Sequence, residues 1–140
     1  MAREQPSILA RYLFVAYLLL VVYASLHPFS GWRDRGLPAF AYLTASFNRP
    51  MPAFDVLVNV LGYFPLGFLA VLAAYPRLRG AAGLAVAVAC SVVMSFILES
   101  LQLYLPSRTA SNLDLIANTA GGTAGAIVAL AVYEALLARP

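Results

Sequence analysis

Residues 80–105, GAAGLAVAVACSVVMSFILESLQLYL, contain one charged side chain, that of Glu99. A helix of about 20 residues crosses a hydrocarbon core of about 30 Å, so this stretch is long and apolar enough to span a membrane. Three more stretches share this character, at residues 8–26, 54–75 and 112–137. The sequence therefore predicts an all-α integral membrane protein. Because two of the links are short, we expect an antiparallel bundle of four transmembrane helices, with a long aromatic-rich loop between helices 1 and 2.

The composition of the chain supports this prediction. Of its 140 residues, 62% are hydrophobic and 11% are charged, whereas soluble domains carry about 25% charged residues. One small domain cannot bury so many apolar side chains, so the bilayer must solvate many of them. The basic residues are all arginines and are spread along the chain, which disfavours a nucleic-acid partner. The single cysteine, Cys90, permits no intrachain disulfide.

The arginines favour one orientation by a small majority. Four crossings place both termini and the link after the second helix on one side of the membrane. That side carries Arg3, Arg11, Arg77, Arg79 and Arg139, and the other carries Arg33, Arg35, Arg49 and Arg108. The positive-inside rule then predicts cytoplasmic termini. The first stretch also allows another interpretation, a secretory signal cleaved near Val22-Tyr23-Ala24.

Polar side chains concentrate near one end of each predicted helix. They are His27 after the first helix, Asp55 and Asn59 in the second, Glu99 and Gln102 in the third, Arg108 in the following link, and Ser111, Asp114 and Asn118 in the fourth. Because successive helices alternate in direction, all of these groups are expected near the same membrane face. Together they predict a polar pocket that opens to that side.

Several of these residues also have a structural interpretation. Ser111 and Asp114 resemble a capping box at a helix start, and Asp55 is equally suited to a first turn. Glu99 and Gln102 could join helices by hydrogen bonds. However, Glu99 lies at a helix C-terminus, where the dipole disfavours an anion. We therefore expect Arg108 to fold back and pair with Glu99.

Gly121 and Gly125 predict a close helix contact in the fourth stretch. The contact could lie within the chain or in a homodimer, and packing within the chain is favoured. The loop of residues 27–53 is rich in aromatic residues and prolines. A short amphipathic helix at about residues 38–47 could act as a lid over the pocket, or as a belt that anchors the bundle.

Two blocks of sequence resemble a known family. The first is Asp55-x-x-x-Asn59-x-x-Gly62-Tyr-Phe-Pro65-Leu-Gly67, and the second is Glu99-x-x-Gln102-x-x-x-Pro106-x-Arg108-x-x-Ser111-x-x-Asp114-x-x-x-Asn118-x-x-Gly121. With Tyr23-x-Ser25-Leu-x-Pro28-Phe29 at the end of the first helix, they resemble the VanZ-like family over nearly all of residues 1–140. The resemblance implies one membrane domain in the bacterial inner membrane. The founding member is associated with low-level teicoplanin resistance, and most relatives have no established activity.

Three classes of function remain open at this point. In the first, a non-enzymatic envelope protein binds a lipid-linked or anionic headgroup, or a partner membrane protein. Its ligand-binding residues would be Asn59, Gln102, Arg108, Ser111 and Asn118. In the second, an intramembrane hydrolase or transferase acts on a lipid. Its candidate catalytic residues would be Asp55, Glu99, Asp114 and His27, working as acids and bases or around a hard cation. The third, a transporter, is disfavoured because no polar path crosses the helices. No cofactor is expected.

Overall fold

The computed structural model describes residues 7–45 and 52–137, without the side chains of residues 134–137. Its four long helices are α1 (Ile8–Leu26), α2 (Ala53–Ala74), α3 (Gly80–Gln102) and α4 (Asn112–Leu137). All four are long and apolar enough to cross a membrane, and the described residues form no strand. The prediction of an all-α membrane bundle with four transmembrane helices is confirmed. Arg3, Arg49 and Arg139, used above to orient the chain, lie outside the described residues.

The helix ends follow from local chemistry. The Ser7 hydroxyl accepts a hydrogen bond from the Ala10 amide at 3.1 Å and caps the start of α1. Helix α3 ends at Gln102, three residues before the predicted boundary at 105. Pro106 explains the difference, because a proline disfavours the helical conformation of the residue before it. The Ser111 hydroxyl accepts from the amides of Leu113 and Asp114, so the capping interpretation of Ser111 is confirmed.

Glycines bring α2 and α4 into close contact. A Cβ atom on Gly121 would overlap the backbone of Val60, and one on Gly125 would overlap the backbone of Phe64. The two pairs have the same order along both helices, so α2 and α4 run parallel. The interpretation of these glycines as packing positions within the chain is therefore confirmed, since only a residue without a side chain fits there.

The other two helices pack antiparallel to this pair. The Asn118 amide of α4 bonds the Ser95 hydroxyl of α3 at 3.0 Å, and the Tyr17 hydroxyl of α1 donates to the Gly62 carbonyl of α2 at 2.9 Å. One end of the bundle therefore combines the C-termini of α1 and α3 with the N-termini of α2 and α4. We call this end, which holds the predicted polar residues, the polar end.

The loop between α1 and α2 is attached to the polar end. Tyr42 is 3% exposed, and its hydroxyl bonds the Phe96 carbonyl at 3.3 Å and the Ser100 hydroxyl at 3.2 Å. Where an amphipathic helix was expected at about residues 38–47, the structure has a short 3-10 helix, Ala41–Thr44, and residues 46–47 lie outside the described part. The role of this loop as a lid stays a prediction.

Candidate functional site

A cavity of about 570 Å³ lies at the polar end, and all four helices and the link between α3 and α4 line it. Its polar lining residues are Tyr17, Ser25, Asn59, Tyr63, Glu99, Gln102, Ser107, Arg108, Thr109, Asp114 and Asn118. Six of the nine residues singled out from the sequence therefore surround one space: Asn59, Glu99, Gln102, Arg108, Asp114 and Asn118. The predicted convergence of these side chains is present in the structure.

The cavity reaches the outside of the bundle in two chemically different places. Leu20 of α1 is 55% exposed and Val58 of α2 is 49% exposed, and both line the cavity from helices that are suited to span the membrane. Ser107 and Thr109, in the link after α3, are exposed polar lining residues. The opening is thus apolar toward the lipid and polar beyond the helix ends.

Glu99 is almost completely enclosed, with 4% of its surface exposed. Its Oε2 accepts a hydrogen bond from the backbone amide of Ser111 at 2.8 Å. That amide directly precedes α4, where donors without a helical partner are available and the helix dipole favours an anion. The start of α4 therefore compensates for the unfavourable position of Glu99 at the end of α3.

The expected ion pair between Glu99 and Arg108 is absent, so that prediction was wrong. The Arg108 guanidinium instead donates from Nη2 to the Ala24 carbonyl at 2.7 Å and to the His27 carbonyl at 3.0 Å. Its Nε donates to the His27 carbonyl at 3.2 Å. These carbonyls lie at the C-terminus of α1, which lacks intrahelical donors and attracts a cation. The helix end competes successfully with the carboxylate for this arginine.

Gln102 has a related role. Its side-chain amide donates to the Ser25 carbonyl of α1 at 3.0 Å. Gln102 and Arg108 therefore both supply donors to the last turn of α1. Both residues line the cavity as predicted, but part of their hydrogen-bonding capacity is already used to hold the bundle together.

Asp114 and Asn59 form a direct pair across the α2–α4 contact. The Asn59 side-chain nitrogen donates to Asp114 Oδ1 at 2.6 Å. Asp114 lies in the first turn of α4, where the helix dipole favours its charge. Within the described part of the chain, neither Asp114 nor Glu99 forms an ion pair with a basic side chain.

Two polar atoms deep in the cavity have no hydrogen-bond partner. Asn118 and Tyr63 are each 4% exposed, and Asn118 Oδ1 and the Tyr63 hydroxyl are buried without a partner among the described residues. Buried polar atoms are nearly always hydrogen-bonded, so these two atoms are unsatisfied polar groups in the wall of the cavity. Tyr63 was not singled out from the sequence. Its position one turn after Asn59 on α2 was the available signal.

The sequence model of the VanZ/LLP1 family matches residues 12–133, which include all of these cavity residues. The chain belongs to the VanZ/LLP1 family. No curated protein and no solved structure matches the chain.

Three of the predicted site residues do not line the cavity of this VanZ/LLP1 protein. Asp55 is exposed in the first turn of α2. The ring of His27 is exposed and packs near Tyr23, with 5.4 Å between ring centroids, while its carbonyl serves Arg108. Ser111 contributes its amide to Glu99 and its hydroxyl to the start of α4. The cavity therefore holds two of the three candidate carboxylates.

A hard-cation site was part of the enzymatic hypothesis for this family member. Among residues 7–45 and 52–137, no group of three or more His, Cys, Asp or Glu side chains is placed to hold a metal ion. Asp55 and His27 are the candidates that remain apart from the cavity. The chemistry that the cavity can offer from its own residues is hydrogen bonding, charge and proton transfer by Glu99 and Asp114.

Proposed function

We propose that this VanZ/LLP1-family envelope protein binds a lipid-linked or anionic envelope component, with the phosphate-bearing headgroup in the cavity at the polar end. The proposal depends on how the residues that line the cavity change from its outer to its inner part. Leu20 and Val58 are apolar and exposed, whereas Glu99 and Asn118 are polar and enclosed. An amphiphile matches this change, because its chains can stay in the bilayer while its headgroup enters a polar space. Membrane lipids are therefore the proposed partners.

Arg108 is the proposed contact for the phosphate. Its Nε and Nη2 donate to carbonyls of α1, which fix the guanidinium plane beside the cavity. The two N–H groups of Nη1 have no acceptor among the described residues. A guanidinium that is held in this way is prepared for phosphate, which it binds through directed, charge-assisted hydrogen bonds.

The proposal is tested by measuring the phospholipid that co-purifies with the protein after detergent exchange. Wild-type protein is expected to retain bound phospholipid, and Arg108→Ala to retain about tenfold less, as expected for the loss of a charge-assisted hydrogen bond. Arg33→Ala is the matched control, because Arg33 is exposed in the loop and does not line the cavity. Equal retention by wild type and a folded Arg108→Ala variant contradicts the proposal.

A second measurement covers the case in which Arg108→Ala does not fold. Wild-type protein is loaded with a labelled phospholipid and challenged with phosphatidic acid or with diacylglycerol of the same acyl chains. We expect phosphatidic acid to displace the label and diacylglycerol to leave it bound. Equal displacement by the two lipids shows that the phosphate is not recognised.

One observation favours a second candidate function, a small intramembrane hydrolase or transferase that acts on a lipid. Glu99 and Asp114 line the same cavity, and each has one carboxylate oxygen without a protein partner among the described residues. Two carboxylates in one enclosed space can serve as acid and base. Turnover of an envelope phospholipid that Glu99→Gln abolishes, with lipid binding intact, would support this candidate.

The location and cellular effect are part of the same proposal. We place the termini in the bacterial cytoplasm and the polar end on the extracytoplasmic side of the inner membrane, where lipid-linked precursors are exposed to glycopeptides. Binding of such a precursor by this protein would change the susceptibility of the cell to glycopeptides. Expression of wild-type protein in a susceptible host is expected to raise its teicoplanin tolerance, and Arg108→Ala is expected to remove this effect.

A further inference from the structure

Three acceptor oxygens at the cavity have no hydrogen-bond donor among the described residues. One oxygen of Glu99 and one of Asp114 accept hydrogen bonds from the protein, and the second oxygen of each has no partner among the described residues. Asn118 Oδ1 is a third acceptor without a partner, on a side chain that is 4% exposed. Three acceptors on two helices, all in residues that line the cavity, therefore lack a donor from the described part of the protein.

The side-chain amides do not supply the missing donors. The Asn59 nitrogen donates to Asp114, the Gln102 nitrogen to the Ser25 carbonyl, and the Asn118 nitrogen to the Ser95 hydroxyl. Each of these amide nitrogens is thus already bound to a protein acceptor, and none of them donates to the three unpartnered oxygens.

The two carboxyl groups of the enclosed part have no basic partner among the described residues. Glu99 and Asp114 are acidic, and the basic residue that lines the cavity, Arg108, is bound to the carbonyls of α1. A buried charge is costly unless it is paired and hydrogen-bonded. A ligand that carries a positive charge would stabilise the ionised form of these carboxyl groups, and its N–H donors would satisfy the three acceptors.

We infer that the cavity recognises an aminophospholipid of the phosphoethanolamine type, with its primary ammonium group among Glu99, Asp114 and Asn118. This inference rests on the proposed function and specifies its ligand. A primary ammonium has three N–H donors, one for each unpartnered acceptor. The phosphate lies at Nη1 of Arg108, and the acyl chains leave the bundle beside Leu20 and Val58. A choline headgroup has the same charges but no N–H donor, so the cavity discriminates against it.

The inference is tested with wild-type protein in nanodiscs made from equal parts of phosphatidylethanolamine, phosphatidylcholine and phosphatidylglycerol with identical acyl chains. The lipid that stays bound after transfer to detergent is identified by native mass spectrometry. We expect phosphatidylethanolamine to exceed phosphatidylcholine by about tenfold, since charge-assisted hydrogen bonds are lost with choline. Asp114→Asn and Glu99→Gln are each expected to reduce this ratio toward one while phospholipid is still retained.

Asp55→Asn is the matched control for the two acidic variants. It removes one negative charge from the same end of the bundle, but Asp55 is exposed and does not line the cavity. Its ratio of phosphatidylethanolamine to phosphatidylcholine is expected to equal that of wild type. Thermal unfolding of each variant shows which of them are folded. If one acidic variant does not fold, the other variant and the wild-type ratio decide the result.

Each remaining outcome overturns a stated part of the account. A wild-type ratio near one, with retention that depends on Arg108, removes the ammonium inference and leaves the proposed function in place. Preference for phosphatidylglycerol over phosphatidylethanolamine shows that hydroxyl groups, not ammonium, satisfy the acceptors, and also removes the inference. Retention of no phospholipid by wild-type protein overturns both the inference and the proposed function.

Discussion

Arg108 donates two hydrogen bonds to the carbonyl oxygen of His27, from Nε at 3.2 Å and from Nη2 at 3.0 Å. The two residues are far apart in sequence, so the link between α3 and α4 is fixed to the end of α1. This contact joins the link to α1 beside the cavity, which Arg108 and Ala24 both line. It also explains how an arginine can line the cavity without neutralising Glu99.

We expect Arg108→Ala to destabilise the folded protein, because the carbonyls of Ala24 and His27 lose their donors. For this half-buried group, the free energy of unfolding should fall by about 1 to 2 kcal/mol. Denaturant unfolding in detergent measures the change, with Arg33→Ala as the control near zero. A variant with wild-type stability would show that these bonds do not hold α1 to the link.

We expect Gly125→Ala to be more damaging, because the new methyl group would overlap the backbone of Phe64 in α2. Forcing extra volume into a close contact costs about 1 to 3 kcal/mol. Gly62→Ala is the matched control within α2, since a Cβ there meets no atom within 4 Å. Melting temperatures in detergent should separate the two variants, and equal values would contradict the close α2–α4 contact.

We expect Tyr42→Phe to loosen the loop without unfolding the bundle. The substitution removes the hydroxyl that bonds Phe96 and Ser100, at a cost of about 0.5 to 1.5 kcal/mol. Hydrogen exchange in residues 38–45 should quicken, while exchange in the helices stays the same. Tyr12→Phe is the control, because Tyr12 is 70% exposed on α1. Unchanged exchange in the loop would show that Tyr42 does not anchor it.

The proposed orientation predicts the behaviour of reporter fusions. A fluorescent protein that folds only in the cytoplasm should be active when fused at the C-terminus or in the link at residues 76–79. Alkaline phosphatase, which requires the extracytoplasmic side, should be active in the link at residues 106–110. The reverse pattern would place the polar end, and with it Arg108, in the cytoplasm.

Much of this arrangement could be predicted from the sequence, because it depends on local pattern. The lengths of the four apolar stretches predicted the four helices. The alternating direction of these helices then predicted that Asn59, Glu99 and Asp114 lie at one end of the bundle. The spacing of Gly121 and Gly125 indicated a close contact, although only the structure identifies α2 as the neighbour. These predictions need no knowledge of side-chain directions.

The failures concern choices between competing partners. Arg108 was expected to pair with Glu99, but the unsatisfied carbonyls of α1 and the free amide of Ser111 provided each of them with another partner. The distance between two helix ends cannot be derived from the spacing of residues in the sequence. The sequence therefore could not show which partner each of these two side chains would bind. Asp55 and His27 lie at the predicted end of the bundle but outside the cavity lining, because Asp55 is in the exposed first turn of α2 and His27 follows the last residue of α1.

Photo-crosslinking directly tests whether the headgroup cavity reaches the lipid at Leu20 of α1 and Val58 of α2. A phosphatidylethanolamine analogue with a diazirine beside its glycerol group is irradiated with the protein in nanodiscs, and the adducts are mapped by mass spectrometry. Adducts are expected mainly at Leu20, Ala24 and Val58, which are exposed and line the cavity. Equal labelling of Val93 and Ile127, which are exposed on α3 and α4 but absent from the cavity lining, would contradict this prediction.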